Sequence, residues 1–376
     1  MSSTVGMRLR MTIYGESHGP SIGIVLDGLP PNITIDLGAI EKEMARRVPG
    51  QSPLSTHRKE TDQFTIESGF FEGKTTGMAL CARIVNHDAH SKDYSLLKDV
   101  MRPSHGDYPG YVKSHGANDY RGGGAFSGRL TAPLVFAGAV AKQLLRQKGI
   151  VIGAHVARIG SACDRPFHPL GETDETLLHL GDHYLATLDD KVRAVMESVI
   201  RSAQEDKDSV GGVIECMALH LPVGLGEPYF DSVESTLSQL LFSIPAVKGV
   251  EFGDGFSLAG MRGSEANDPM TIKGDKVVTT TNRNGGILGG LTTGMPLLFR
   301  VVVKPTASIY QPQHTVNIKT HEETILEIKG RHDPCIVPRA AIVQTSAAAL
   351  AVGDLLTARY GTAWMERPTS YRREGL

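Results

Sequence analysis

The stretch RPSHGDYPGYVKSHGANDYRGGGAFSGR, residues 102–129, stands apart from the rest of the 376-residue sequence. Its 28 residues include seven glycines and four arginines or lysines, with almost no aliphatic side chains. A buried strand or an amphipathic helix needs apolar side chains at a regular spacing, which this stretch lacks. The composition therefore predicts a system of loops around which the rest of the chain is organised.

This Gly-rich stretch has the composition of an anion site. The triple glycine at residues 122–124 allows backbone N–H groups to turn toward an anion or a ring, because glycine adopts angles that a Cβ forbids. His105 supplies a ring that exchanges protons near neutral pH. Four cationic side chains could surround the anion: Arg102, Lys113, Arg121 and Arg129. The stretch predicts a phosphate-handling active site, and the alternative is a solvated surface loop.

The overall charge excludes several classes of partner. Lys plus Arg number 39 against 41 Asp plus Glu, so the formal net charge is −2. A chain without a global basic field is not expected to bind nucleic acid or an acidic membrane. The four cysteines are scattered and form no CxxC pair, which predicts neither a zinc site nor a disulfide framework. We expect a cytoplasmic protein without a metal, a signal peptide or a membrane span.

The N-terminal segment predicts a β-hairpin with a functional tip. Residues 7–14 alternate as a strand does, break at GESHGPSIG, and resume as IVLDGLPP. His18 lies in the tip between small and polar neighbours, where a packing role is not expected. The alternatives for this side chain are a functional histidine and a free surface histidine.

Periodic segments elsewhere predict a mixture of helices and strands. Asp36 is expected to cap a helix that continues to about Val48. Further helices are expected over residues 131–148, 188–203, 232–242 and 340–360. Strands are expected at MALCARIVN, VIGAHVARI, GGVIECMALHL and LLFRVVVK. Without a repeat or a flexible linker, residues 1–376 are expected to form one domain, with a loose tail from about residue 362.

Two tempting ligand motifs are incomplete. A Walker A loop has four residues between its first glycine and Gly-Lys-Ser/Thr, whereas GFFEGKTTG at residues 69–77 has three. The strand-like segment that follows would not supply the helix that a P-loop needs. His87 and His90 could ligate a metal, but they are expected in a loop and no third ligand is evident.

The C-terminal half adds three segments suited to ligand binding. NGGILGG, residues 284–290, is a glycine-dense loop that lets a flat ligand lie close to the backbone. KPTAS, residues 304–308, places hydroxyl groups behind a lysine and suits a phosphate tail. Asp333 lies among arginines and is interpreted as a salt-bridge partner or, alternatively, as a proton acceptor.

Seven motifs in order resemble the chorismate synthase family over nearly the whole chain. They are GESHG at Gly15, RPSHGDY at Arg102, DYRGGG at Asp119, AVKGVEFGDGF at Ala246, NGGILGG at Asn284, KPTAS at Lys304 and GRHDPC at Gly330. The resemblance implies a single-domain α+β fold, a β-α-β sandwich that is neither a Rossmann nor a P-loop fold, assembled as a homotetramer. GDGFSLAG does not have the dinucleotide-binding spacing, in agreement with that fold.

The resemblance also implies an activity. Members convert 5-enolpyruvylshikimate 3-phosphate to chorismate and phosphate by a 1,4-anti elimination, the last step of the shikimate pathway to the aromatic amino acids. They require reduced FMN, although nothing is oxidised overall. An external reductant is expected to supply the reduced flavin, and the alternative is reduction by the chain itself with NADPH.

Individual roles follow from the matching positions. His18 is implied to protonate the leaving phosphate, His105 to lie near flavin N1, and Asp333 to lie near N5. Substrate anions or NADP would be bound by Arg47, Arg129 and Arg339. FMN would be held by Ala125, Phe126, Ser127, Gly289, Lys304, Pro305, Thr306, Ala307, Ser308 and Arg331.

The chain departs from the usual family pattern after the triple glycine. Many members read Arg-Ser-Ser-Ala-Arg-Glu-Thr there, whereas Ala125 and Phe126 stand in place of the first Arg and Ser. One cation and one hydroxyl are therefore missing. This loss favours an alternative function, a flavin- or anion-binding homologue without catalysis, and the intact His18, His105 and Asp333 oppose it.

Overall fold

The computed structural model describes residues 3–50, 52, 54–55, 60–87, 96–328 and 332–366. The strands described are β1 Thr4–Val5, β2 Arg10–Gly15, β3 Ser21–Asp27, β4 Phe64–Ser68, β5 Phe70–Phe71, β6 Lys74–Thr75, β7 Leu80–Val85, β8 Val151–Ile159, β9 Ala162–Cys163, β10 Gly212–Leu219, β11 Val247–Phe252, β12 Met270–Lys273, β13 Lys276–Thr279, β14 Ile287–Leu288, β15 Leu291–Thr292, β16 Leu297–Val303, β17 Gln313–Asn317 and β18 Glu322–Leu326. The helices described are α1 Leu37–Arg47, α2 Asp107–Ser114, α3 Thr131–Gln147, α4 Asp174–His179, α5 Asp190–Glu205, α6 Val233–Ser243, α7 Gly263–Ala266, α8 Val337–Tyr360 and α9 Ala363–Glu366.

The first sheet grows from the predicted N-terminal hairpin. Strands β2 and β3 pair antiparallel, and the sheet has the order β1-β2-β3-β7-β4. Along β3 the side chains of Ile22, Ile24 and Leu26 alternate with their neighbours and are fully buried. This period of two is typical of a strand with one face on a core.

The second sheet is also antiparallel, with the order β11-β16-β10-β8-β9. At its centre Cys216 of β10 lies between Phe299 of β16 and Ala154 of β8. A Rossmann fold would need parallel strands joined by crossover helices. The mixture of helices with antiparallel sheets confirms the α+β class.

Two long helices lie against the sheets. Helix α3 packs on β2, β3 and β7 of the first sheet, α8 packs on β8 and β10 of the second, and the two helices pack on each other. Gly138 permits their close approach, because a Cβ there would overlap the side chain of Ser346. Helix α8 is long and apolar enough to cross a membrane, but its whole apolar segment is buried inside the protein.

Most predicted helices and strands are confirmed within a few residues. Asp36 caps α1 by accepting a hydrogen bond from the Ala39 N–H at 3.2 Å. Helix α8 begins three residues earlier than predicted, because Pro338 is tolerated in a first helical turn, where its missing N–H is not needed. GFFEGKTTG forms the hairpin β5–β6 and leads into strand β7, which confirms that it is not a P-loop.

Helix α2 corrects the prediction that residues 102–129 consist only of loops. The helix has Pro109 in its first turn, and His115 ends it in the left-handed region at φ 53°. Its buried residues are Asp107 and Gly110 rather than aliphatic side chains. A search for an apolar stripe therefore missed a helix that packs through a carboxylate and a glycine.

The predicted loose tail is also wrong for its first residues. Trp364 of α9 is only 1% exposed, and its Nε1 donates to Thr357 Oγ1 at 2.9 Å. A buried indole with a satisfied N–H anchors this turn on α8, although the sequence around it is polar. Residues 367–376 lie outside the described part of the chain.

Candidate active site

A cavity of about 680 Å³ lies where the Gly-rich stretch meets the first turns of α8. Parts of residues 242–248, 304–308 and 332–343 complete its wall. Thirteen of the predicted site residues line it: Arg47, His105, Ala125, Phe126, Ser127, Arg129, Lys304, Pro305, Thr306, Ala307, Ser308, Asp333 and Arg339. The fold thus brings together segments that are up to about 290 residues apart in sequence.

One side of the cavity is an arginine cluster, which we define as Arg47, Arg129, Arg339, Glu60, Asp62 and Asp333. Asp62 Oδ2 accepts from Arg47 Nε at 2.9 Å and Nη2 at 2.5 Å, and Asp62 Oδ1 accepts from Arg129 Nη1. Glu60 Oε2 lies 3.5 Å from Arg129 Nη2. Both guanidinium groups are therefore held by carboxylates of the segment that leads into β4.

Arg339 joins the arginine cluster from α8. Its Nη1 donates to Asp333 Oδ2 at 2.7 Å, and its Nε donates to the carbonyl oxygen of Arg47 at 2.9 Å. The salt-bridge interpretation of Asp333 is confirmed. The contact ties the end of α1 to the start of α8 at the edge of the cavity.

Burial perturbs the charges of the arginine cluster. Burial lowers the pKa of Arg47 to about 10, with Arg339 and Arg129 acting in the same direction and Asp62 opposing them. Burial acts to raise the pKa of Asp62, but Arg47 and Arg129 outweigh it and hold this pKa below its usual value. At neutral pH Arg47 and Asp62 are consequently both charged.

A second polar cluster surrounds the start of α2. Asp107 accepts from Arg102 Nε at 2.7 Å and Nη2 at 2.8 Å, and its Oδ1 lies 2.7 Å from His105 Nδ1. Burial acts to raise the pKa of Asp107, but hydrogen bonds from Arg102 and His105 hold it well below its usual range. An ionised carboxylate only accepts, so Nδ1 of His105 carries the proton in this bond. The other ring nitrogen, Nε2, lies beside Gly123.

The predicted hydroxyl-rich turn lies next to this second cluster. Ser308 Oγ accepts from Arg102 Nη1 at 3.3 Å, and Thr306 Oγ1 donates to the carbonyl oxygen of Asp333 at 3.1 Å. Lys304 Nζ donates to the carbonyl oxygen of Ser104. Burial and the nearby Lys248 lower the pKa of Lys304. Hydroxyls and cations converge here as a phosphate group requires.

His18 has a different environment from the one predicted. Its ring is 6% exposed, its Nδ1 lies 3.2 Å from Ser17 Oγ, and it fills the space that a Cβ on Gly122 would need. The tip is joined to the Gly-rich stretch by a hydrogen bond from Ser17 N–H to the Gly124 carbonyl at 3.3 Å. The expectation that His18 has no packing role is wrong. Its neighbours along the chain are small or polar, but the ring packs against Gly122 of the Gly-rich stretch, which is distant in sequence.

Phe126 packs across a notch made by two glycines. A Cβ on Gly106 would lie 2.9 Å from the Phe126 ring, and one on Gly110 would lie 2.5 Å from it. The ring is 38% exposed and lines the cavity. Phe126 thus braces the Gly-rich stretch against α2.

Two predicted residues are placed apart from the cavity or cannot be described. Gly289 is exposed in the turn between β14 and β15 and is not part of the cavity wall. Arg331 lies outside the described residues, as does His90 of the histidine pair. Among the residues that the structure describes, no group of His, Cys, Asp or Glu could hold a metal ion.

Sequence reasoning missed four titratable side chains of the cavity and the arginine cluster. Lys248 stands inside the quoted AVKGVEFGDGF motif, and its charge was a usable signal. His332 is next to Asp333, and burial and Arg102 lower its pKa to about 4 against the opposing effect of Asp333. Glu60 and Asp62 gave no signal, because they occur in a polar segment that reads as an ordinary loop.

Comparisons with known proteins identify one family over nearly the whole chain. The sequence profile of the family described as chorismate synthase matches residues 9–357. A chorismate synthase of Dehalococcoides mccartyi is 44% identical over 355 residues, which are 94% of this chain and 96% of the relative. One of Thermococcus kodakarensis is 45% identical over 354 residues, which are 94% and 97% of the two chains.

A solved structure supports the same relationship. The crystal structure of a chorismate synthase aligns with a TM-score of 0.75 and 29% identity, covering 98% of this chain and 97% of that chain. The seven motifs, the cavity and the comparisons lead to the same conclusion: the chain belongs to the chorismate synthase family.

Proposed function

We propose that this lyase of the shikimate pathway carries out its reaction in the 680 Å³ cavity, with reduced FMN bound beside the substrate. The reaction converts 5-enolpyruvylshikimate 3-phosphate to chorismate and phosphate. A C–O bond to phosphate and a ring C–H bond break, and a new ring double bond forms. The observation that carries the proposal is that one cavity contains two separate groups of cations, as a substrate and a cofactor that are both anionic require.

The residues present fit a flavin mononucleotide. The turn at residues 304–308 offers Lys304, Thr306 and Ser308 to a phosphate tail, with Lys248 nearby. The cavity volume of about 680 Å³ lies within the usual range of roughly 300–1,000 Å³ for such sites. When bound, reduced FMN would lend an electron to the substrate and recover it, so that the reaction has no net redox change.

The chain's own residues would bind the substrate and move its protons. Arg47, Arg129 and Arg339 would bind carboxylate or phosphate oxygens, because a guanidinium group pairs with such anions in bidentate geometry. His105 would present Nε2 to the ligand side, since Asp107 fixes the proton of Nδ1. Asp333, paired with Arg339, would lie at the reacting edge of the flavin.

His18 would donate a proton to the leaving phosphate. Supporting this role, Ser17 anchors the tip to the Gly-rich stretch and the His18 ring lies directly behind Gly122, which lines the cavity. General acid catalysis needs such a group within hydrogen-bond reach of the leaving oxygen, and that reach often tightens only in the complex.

The finer architecture and assembly are part of the proposal. A β-α-β sandwich is supported by α3 and α8, which lie against the two sheets and pack on one another. A homotetramer is supported by exposed apolar side chains on the β12–β13 hairpin, with Met270 67% and Ile272 75% exposed. A cytoplasmic location is supported by four free cysteines.

The test is an anaerobic assay with photoreduced FMN, run with and without NADPH. We expect chorismate and phosphate from 5-enolpyruvylshikimate 3-phosphate when reduced FMN is supplied. External reduction predicts that oxidised FMN plus NADPH gives no product, whereas product from that mixture would show that the chain reduces its own flavin. Absence of product with photoreduced FMN would indicate that the protein is a flavin- or anion-binding homologue without catalysis.

A further inference from the structure

Asp62 occupies an unusual position in the arginine cluster. Its side chain has no exposed surface, and its two oxygens are divided between two cations, Oδ1 to Arg129 and Oδ2 to Arg47. Its backbone is in the left-handed region at φ 50°, where few side chains other than Asn, Asp and Gly are found. One carboxylate therefore fixes two guanidinium groups that come from α1 and from the turn before α3.

The charges in the arginine cluster balance. The guanidinium groups of Arg47, Arg129 and Arg339 repel one another, and this repulsion contributes to the lowered pKa of Arg47. Glu60, Asp62 and Asp333 supply three opposing carboxylates. Removal of one carboxylate would leave two buried cations in competition for the remaining partners, which is costly in a poorly solvated site.

The remaining contacts show what Asp62 leaves available. Nη1 of Arg47 lies 3.5 Å from the Gly128 carbonyl oxygen and 3.4 Å from Thr131 Oγ1, and both distances are long for hydrogen bonds. Nη2 of Arg129 makes no hydrogen bond within the described residues and has Glu60 Oε2 at 3.5 Å. Asp62 therefore fixes one side of each guanidinium group. On the other side, Nη1 of Arg47 and Nη2 of Arg129 retain N–H groups that can donate to a ligand.

We propose that Asp62 is a positioning residue that aligns Arg47 and Arg129 along the cavity wall so that their remaining donors meet the oxyanions of the substrate. The inference rests on the proposed function of the cavity. Asp62 itself does not touch the substrate. It acts through the two arginines, in the way that a supporting hydrogen bond orients a binding group.

Asp62→Asn is the most direct test, because it keeps the size of the side chain and removes its charge. An Asn offers one acceptor oxygen and turns an NH₂ group toward a guanidinium group, so that one of the two arginines loses its partner. We expect the dissociation constant of 5-enolpyruvylshikimate 3-phosphate, measured by calorimetry without flavin, to rise at least tenfold. KM should rise by a similar factor, while FMN affinity stays within about twofold, because the hydroxyl-rich turn is untouched.

Asp164→Asn is the matched control. Asp164 is a buried carboxylate that directly follows β9 and accepts from His155 and from the backbone N–H of Leu188, outside the cavity wall. This variant should lose stability without a change in substrate affinity. If Asp62→Asn does not fold, Asp62→Glu retains the charge but moves the carboxylate, and its substrate dissociation constant should rise by a smaller factor.

Two results would overturn the inference. Unchanged substrate affinity in Asp62→Asn would show that the alignment is irrelevant to binding. Tighter binding would show that Asp62 competes with the substrate for the arginines. Failure of the proposed function can be told apart from failure of the Asp62 role alone. If the proposed function is wrong, the unaltered protein binds no 5-enolpyruvylshikimate 3-phosphate, and the role of Asp62 is then wrong as well.

Discussion

His105 Nδ1 lies 2.7 Å from Asp107 Oδ1, and the same carboxylate is held by Arg102. This arrangement fixes the ring of His105 at the wall of the cavity and leaves Nε2 for a ligand. The carboxylate of Asp107 thus orients the His105 ring, and the guanidinium group of Arg102 neutralises the charge of that carboxylate.

We expect His105→Ala to lower turnover by about 10²- to 10⁴-fold, the usual contribution of a positioned acid or base. The measurement is chorismate formation with saturating reduced FMN, together with circular dichroism to establish that the variant is folded. His179→Ala is a suitable control, because this side chain is 68% exposed. Turnover near that of the control would contradict the role of His105.

His18→Ala should also lower turnover by about 10²- to 10⁴-fold. Because the ring fills the space beside Gly122, we further expect a measurable loss of stability, so turnover should be compared at a temperature where the variant is folded. His18→Gln, which keeps much of the volume, should restore stability but not turnover. Recovery of turnover in His18→Gln would show that His18 contributes packing and not proton transfer.

Most of the secondary structure was predictable, because it has a local cause. The alternation along β3 and the Asp36 cap of α1 are visible in short windows of sequence. Helix α2 was not predictable in this way, since its buried side is a carboxylate and a glycine. Trp364 was missed for a related reason, because a single indole buries a large area within a polar segment.

The site was predictable where its residues form dense motifs. The Gly-rich stretch and KPTAS carry their chemistry in adjacent residues, and both line the cavity. Asp62 is different, because its importance arises only when α1 and the turn before α3 bring two arginines to it. No local pattern can indicate a contact between residues 47, 62 and 129.

Phe126→Ser should weaken FMN binding instead of restoring a family-like contact. The ring packs over Gly106 and Gly110, so its loss would release the Gly-rich stretch from α2. Lys304→Ala should weaken binding by a separate route, through loss of a charge-assisted hydrogen bond to the phosphate tail. Titration of FMN fluorescence measures both effects. Unchanged or tighter binding by Phe126→Ser would show that the ring merely fills a surface.

Stability should depend on pH through a buried histidine of the second sheet. Burial acts to lower the pKa of His155, but hydrogen bonds to Asp164 and Glu215 raise it above its usual value. The stabilisation is therefore fully present below the unfolded pKa of about 6.5 and is lost as pH rises through the folded pKa. Urea unfolding across this range should show the free energy of unfolding falling with pH.

His155→Gln should remove that pH dependence, whereas His168→Gln, at an exposed position, should leave it unchanged. The same slope in His155→Gln and in the unaltered protein would assign the pH dependence to other groups.

The lyase reaction in this cavity is predicted to depend on reduced flavin. The most direct measurement is anaerobic chorismate formation by protein fully stripped of flavin, with photoreduced FMN, oxidised FMN or no flavin added. We predict turnover with photoreduced FMN and none in the other two conditions, because the electron comes from the cofactor. Turnover by the stripped protein without flavin would show that the reaction does not depend on the cofactor.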